Sequence, residues 1–193
     1  MIDTYARKYV EPMIRRTAVG CIKLGLTPNQ VTVTTFFIGL GASVSVFVNQ
    51  PVLAVVLLWI SGYFDAVDGS MARELRQISA WGTLLDITFD RIVELAIIIV
   101  LAIEHPNAQF LLLLLTAGIV FSITVFLTVG SLTEKKGVKS FYYQAGLAER
   151  TEGFILLSLM ILFTHELRWI TSVFLVVEVF TGLQRMNEAK KIL

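Results

Sequence analysis

An all-α integral membrane fold, six transmembrane helices preceded by an N-terminal amphipathic interfacial helix, follows from three features of the 193-residue sequence. Hydrophobic residues make up 55% of it and charged residues 16%, against roughly 25% charged in soluble domains, and the mean hydropathy is +0.74. The apolar residues fall into runs near the roughly 20 residues that one bilayer crossing needs. Lysine and arginine collect in every second connection between those runs, the bias that orients membrane proteins. A single cysteine, Cys21, excludes an intrachain disulfide and reads as a small apolar filler. The net charge of +1 and the lack of a basic run interleaved with aromatics give nucleic acid no footing.

Residues 1–25 mix Arg7, Lys8, Arg15, Arg16 and Lys23 with Tyr5, Tyr9, Val10, Met13 and Ile14. That composition suits a helix lying at the headgroup level, kinked or split at Pro12. The same charges interrupt any signal-peptide core. Residues 26–193 form the transmembrane domain. Its first span starts at Thr27-Pro28, a capping residue followed by proline in the first turn, and is apolar to Val48. Asn49-Gln50-Pro51 turns the chain into a second span, which begins VLAVVLLWI and ends among acidic residues. After Arg73 to Gln77 a third span covers residues 80–103, and a fourth covers 109–132. A polar loop, 133–147, precedes a fifth span over 148–164, and the sixth runs over 169–183 before a charged tail. With the N-terminus cytoplasmic, 14 of the 16 basic residues lie on cytoplasmic segments. Both termini, the end of span two and the start of span three then share the cytoplasmic side of a cell membrane. Trp59, Trp81 and Trp169 fit interfacial belts, and Arg91 and Glu94, three apart, fit an ion pair.

The stretch DAVDGSMARELRQISAWGTLLDITFD, residues 65–90, places four aspartates in segments otherwise apolar enough to cross a bilayer. Ionisable groups in such surroundings are costly and mark function by default. Asp65, Asp68, Gly69 and Ala72 share one helix face, and Gly82, Asp86 and Asp90 share a face of the next. Two facing helices thereby present four carboxylates to one point, with small residues leaving room beside them. Such carboxylates repel one another unless a cation intervenes. Oxygen-only ligands suit Mg²⁺, Mn²⁺ or Ca²⁺, and the absence of nearby His or Cys argues against zinc. The competing reading, ion pairs with Arg73, Arg76 and Arg91 that only hold a bundle together, leaves the glycine and alanine positions without a role.

The pattern Asp65-x-x-Asp68-Gly69-x-x-Ala72-Arg73, eight residues, Gly82-x-x-x-Asp86-x-x-x-Asp90 resembles the signature of the CDP-alcohol phosphotransferase (phosphatidyltransferase) family, class I, at all eight positions. The resemblance implies a phospholipid-synthesising homodimer that takes CDP-diacylglycerol or another CDP-linked donor, transfers its phosphatidyl group to a small polar alcohol and releases CMP. It implies two Mg²⁺ or Mn²⁺ ions held by Asp65, Asp68, Asp86 and Asp90, with Asp90 as general base. Gly69, Ala72, Arg73 and Gly82, with Asn29 and Thr32 from the first span, become donor-binding candidates. Arg150 and the loop lysines Lys135, Lys136 and Lys139 are candidates for contacting an acceptor such as glycerol phosphate, inositol phosphate or serine. A CDP-choline or ethanolamine type of transfer to a lipid alcohol, a divalent-cation channel or transporter, and a silent membrane scaffold are the rival readings.

Overall fold

The computed structural model describes residues 2–133, 150–191 and 193, and the described residues are helical with no strand among them. Among the described residues seven α-helices follow one another: α1 Ile2–Lys23, α2 Pro28–Phe47, α3 Pro51–Glu74, α4 Ala80–Glu104, α5 Gln109–Leu132, α6 Arg150–Leu162 and α7 Leu167–Ala189. They group into two compact units, one over Thr4–Glu104, with α2 to α4 and all but the first residues of α1, and the other over Met1–Asp3 and His105–Leu193.

In the first unit α2 packs along both α3 and α4. Its start is locally encoded: Gln30 N–H donates to Thr27 Oγ1 at 3.3 Å while Thr27 N–H donates to Gln30 Oε1 at 2.9 Å, with Pro28 in the first turn. Pro51 likewise stands in the first turn of α3, there without a side-chain cap. Between α3 and α4 the chain reverses through Arg76, in the left-handed region at φ 52°, and Ser79 then caps α4 by accepting the Gly82 N–H at 3.0 Å. Gly39 lets α2 approach its neighbours, because a Cβ there would sit 2.6 Å from Val93 of α4 and 3.0 Å from Ser61 of α3. Small residues permit this kind of close helix contact in membranes.

Helix α1 is not split at Pro12 but runs as one helix through that residue. A proline costs one backbone hydrogen bond, and the remaining turns hold. Ala18 and Cys21 are buried with Val31, Val67 and Met71, flanked by Ile14, Ile22, Tyr63 and Phe64. The Thr17 and Tyr63 hydroxyls meet at 2.6 Å, and Arg15 pairs with Glu74 at 2.7 Å. These contacts brace α3 along its acidic half.

In the second unit α7 packs along α5 and, over a shorter length, α6. A Cβ at Gly118 would lie 3.0 Å from Leu175, and one at Gly182 would collide with the Phe121 ring. Arg91 and Glu94 form the anticipated pair in α4, and the three tryptophans are exposed.

Among the described residues three helical segments, Pro28–Phe47, Pro51–Glu74 and Pro106–Leu132, are long and apolar enough to cross a bilayer individually, or four if the bent pair α6 and α7 counts as one. Helix α4 falls short on composition, since Asp86, Asp90, Arg91 and Glu94 crowd its first half. Helix α6 has 13 described residues, Arg150–Leu162, about 20 Å of rise, and residues 148–149 of the expected fifth span lie outside the described residues. The chain bends by 106° between it and the following helix. Helix α7 begins two residues before Trp169 and continues past 183 to Ala189, so Arg185 belongs to a helix rather than a tail.

Candidate metal and phosphate site

Three- and four-residue steps put Asp65 and Asp68 on the buried face of α3, where they are 8% and 5% exposed. Asp86, half-buried on α4, completes the group: one carboxylate oxygen from each of the three lies within 4.8 Å of the other two. Oxygens that close around a common point are what a divalent cation with carboxylate ligands requires. A second observation tests the fit. Asp68 Oδ2 is buried with no hydrogen-bond partner, and a buried carboxylate oxygen left unmatched is costly unless a cation meets it. The residues present therefore fit Mg²⁺ or Mn²⁺, held by Asp65, Asp68 and Asp86.

Asp90 lies one turn beyond Asp86 on α4, with Asp86, Asp68, Arg91 and Glu94 as its electrostatic neighbours.

The small residues have visible neighbours. A Cβ on Gly69 would sit 3.5 Å from Arg73 Nη1, so the guanidinium folds back along the helix end, within electrostatic reach of Asp68. A Cβ on Gly82 would come within 3.2 Å of Ser79 Oγ and 3.3 Å of Asn29 Oδ1. Asn29 thus reaches α4 from the first turn of α2. Thr32, whose hydroxyl lies 3.1 Å from the Pro28 carbonyl, stands within hydrogen-bonding reach of Asp68. Ala72 is half-buried on the same helix. The donor-side candidates therefore gather around the acidic group, all within the first unit.

The acceptor-side candidates belong elsewhere. Arg150 opens α6 in the second unit, its guanidinium 5.4 Å from the Phe154 ring centre. Lys135, Lys136 and Lys139 lie outside the described residues. One residue that sequence reasoning passed over stands out in this unit. Arg185 is 8% exposed, its guanidinium 5.0 Å from the Phe126 ring centre and Nη1 3.4 Å from Ser122 Oγ. The stripe Thr171, Phe174, Glu178, Thr181, Arg185, Ala189 continues the helical period past 183 and would have revealed its burial.

Comparison with known proteins places these features in context. Residues 25–184 match the family model described as CDP-alcohol phosphatidyltransferase. The archaetidylinositol phosphate synthase of Pyrococcus horikoshii is 30% identical over 188 residues, 96% of this chain and 95% of that protein. The phosphatidylinositol phosphate synthase of Corynebacterium glutamicum is 26% identical over 162 residues, 80% of this chain and 71% of that protein. Among solved structures, the phosphatidylinositol phosphate synthase of Mycobacterium tuberculosis with CDP-DAG bound superposes with a TM-score of 0.74 at 21% identity, covering 92% of this chain and 94% of that one. The same enzyme has also been solved in complex with manganese and citrate, at 22% identity, 92% and 88% coverage and a TM-score of 0.74. At those identities the likeness establishes the shared fold.

Proposed function

This chain belongs to the CDP-alcohol phosphatidyltransferase family, and from that premise we propose that it transfers the phosphatidyl group of CDP-diacylglycerol to the hydroxyl of a polar alcohol, releasing CMP. The observation that carries the reading is the convergence of Asp65, Asp68 and Asp86 within 4.8 Å in an apolar helix bundle, with Asp68 Oδ2 unmatched.

Asp65, Asp68 and Asp86 hold the divalent ions, with Asp90 adjoining a second one. When bound, Mg²⁺ or Mn²⁺ neutralises the diphosphate and stabilises the leaving phosphate of CMP. Arg73 adds a guanidinium to the donor's phosphates, and Gly69, Ala72 and Gly82 leave room for the nucleotide, with Asn29 and Thr32 along its edge. Asp90 takes the proton of the acceptor hydroxyl. The acceptor oxygen forms a bond to the lipid-side phosphorus, the bond from that phosphorus to the bridging oxygen breaks, and CMP departs with that oxygen and the bond's electrons.

The acceptor is a phosphorylated polyol of the inositol phosphate kind. Two similar proteins are named as inositol phosphate lipid synthases, and Arg185 keeps a guanidinium buried where a phosphate could use it. Arg150, Lys135, Lys136 and Lys139 add positive charge for the same ligand. Glycerol phosphate and serine are the alternatives. Residues 1–25 form an amphipathic segment at the cytoplasmic interface, and 26–193 form a six-span catalytic domain with both termini and the site on the cytoplasmic side of the cell membrane. The protein works as a homodimer.

The test is CMP release from CDP-diacylglycerol by the purified protein with inositol phosphate, glycerol 3-phosphate, serine or no acceptor, in Mg²⁺ or Mn²⁺. Asp90→Asn is expected to lose on the order of 10²–10⁴ in turnover, the usual reach of general-base catalysis, while still binding Mn²⁺. Near-wild-type turnover would remove Asp90 from the base role. No CMP with any acceptor, together with Mg²⁺ flux in liposomes, would replace the transferase with a conduit.

A further inference from the structure

Helix α2 carries five hydroxyl side chains within its span: Thr32, Thr34, Thr35, Ser43 and Ser45. Four lie at hydrogen-bonding distance from carbonyls of their own helix, Thr32 from Pro28, Thr34 from Gln30, Ser43 from Leu40 and Ser45 from Gly41. Thr35 makes no such bond. It is 5% exposed, and its Oγ1 is buried with no hydrogen-bond partner. An idle buried hydroxyl is costly, and a valine of the same shape would avoid the cost.

The packing register locates that hydroxyl. Thr35 lies on the buried α2 stripe of Val31, Thr32, Thr35, Gly39 and Ala42. Against α3, which runs antiparallel to α2, Thr32 meets Asp68 and Gly39 meets Ser61, so Thr35, between them, is level with Asp65. Against α4, which runs parallel, Gly82 meets Asn29, the Phe36 and Phe89 rings stack at 4.2 Å, and Gly39 meets Val93. Thr35 is therefore level with the turn between Asp86 and Asp90. Helix α2 thus brings an uncommitted hydroxyl to the height of the acidic group.

We propose that Thr35 is a positioning residue for the divalent-ion site: its hydroxyl hydrogen-bonds the carboxylate of Asp65, or a water bound to the ion, once the site is loaded. The inference rests on the metal reading above and adds to it a contribution from α2. Hydroxyls that orient ligating carboxylates need not touch the ion to govern its affinity.

The experiment is Mn²⁺ binding by full-length protein in detergent, read from the spin-resonance signal of free Mn²⁺, for wild type, Thr35→Val and Thr35→Ser. Loss of an orienting partner weakens metal binding by about 10- to 100-fold, so Thr35→Val is expected to bind at least roughly tenfold more weakly, with Thr35→Ser close to wild type. The metal-free melting temperature of Thr35→Val should be unchanged or higher, since an idle polar group is removed. Equal binding by Thr35→Val and wild type overturns the proposal, as does a Thr35→Ser protein as weak as Thr35→Val, because a retained hydroxyl would then fail to hold the ion. Wild-type protein that binds no Mn²⁺ would instead overturn the metal reading itself, a distinct result.

Discussion

Substituting Gly39 by alanine probes whether the contact between α2 and α4 sets the active geometry. The new Cβ would lie 2.6 and 2.9 Å from the two γ-methyls of Val93 and 3.0 Å from Ser61 Oγ. Carbon atoms prefer about 3.5–4.0 Å, so α4 must retreat by about 1 Å or Val93 must leave its rotamer. Val93 is 4% exposed, and a β-branched side chain in a helix has essentially one χ1 available. Overpacking costs about 1–3 kcal/mol, and exchanging glycine for alanine within a helix returns about 1 kcal/mol. The net loss is therefore about 0–2 kcal/mol, small enough for the protein to stay folded at assay temperature. Turnover should suffer more, because Val93 stands three residues beyond Asp90 on the helix that has to move. A displacement of about 1 Å at a reacting group costs on the order of 10²-fold. Thermal unfolding and CMP release, measured on the same preparation, separate the two effects. The double variant Gly39→Ala with Val93→Ala removes both clashing methyls and should recover most of the turnover. A Gly39→Ala protein with wild-type melting and turnover would refute the reasoning.

Two further outcomes follow from the same geometry. Asp68→Asn removes the charge of the aspartate whose Oδ2 is unmatched, so Mn²⁺ titrations should shift by well over the roughly tenfold set for a merely orienting partner; an unchanged titration would deny Asp68 its place on the ion. Arg185→Met should raise the KM for a phosphorylated acceptor while leaving that for CDP-diacylglycerol alone, and Arg185→Lys should not restore it, because a lysine lacks the planar fork that stacks over Phe126.

Much of the architecture was legible in the chain because it is local. Proline after a capping residue marks the start of α2 at Pro28, and proline marks α3 at Pro51. Steps of three and four residues placed Asp65 with Asp68 and Gly82 with Asp86 and Asp90 whatever the helices packed against. The pairing of Arg91 with Glu94 is local in the same sense. Less legible was the reach of α7, since a helix end without a strong cap is decided by what it packs against.

By itself, then, the sequence determined that helices would carry four aspartates in apolar surroundings and which aspartates would share a face. Only the tertiary structure decided that Asp65, Asp68 and Asp86 bring carboxylate oxygens within 4.8 Å of one another, that Arg185 is interior, and that Thr35 keeps a hydroxyl idle beside the site. The physical reason is range. Helical periodicity is set by hydrogen bonds four residues apart, whereas the meeting of side chains on different helices depends on interhelical approach, here admitted by Gly39, which no spacing along the chain encodes.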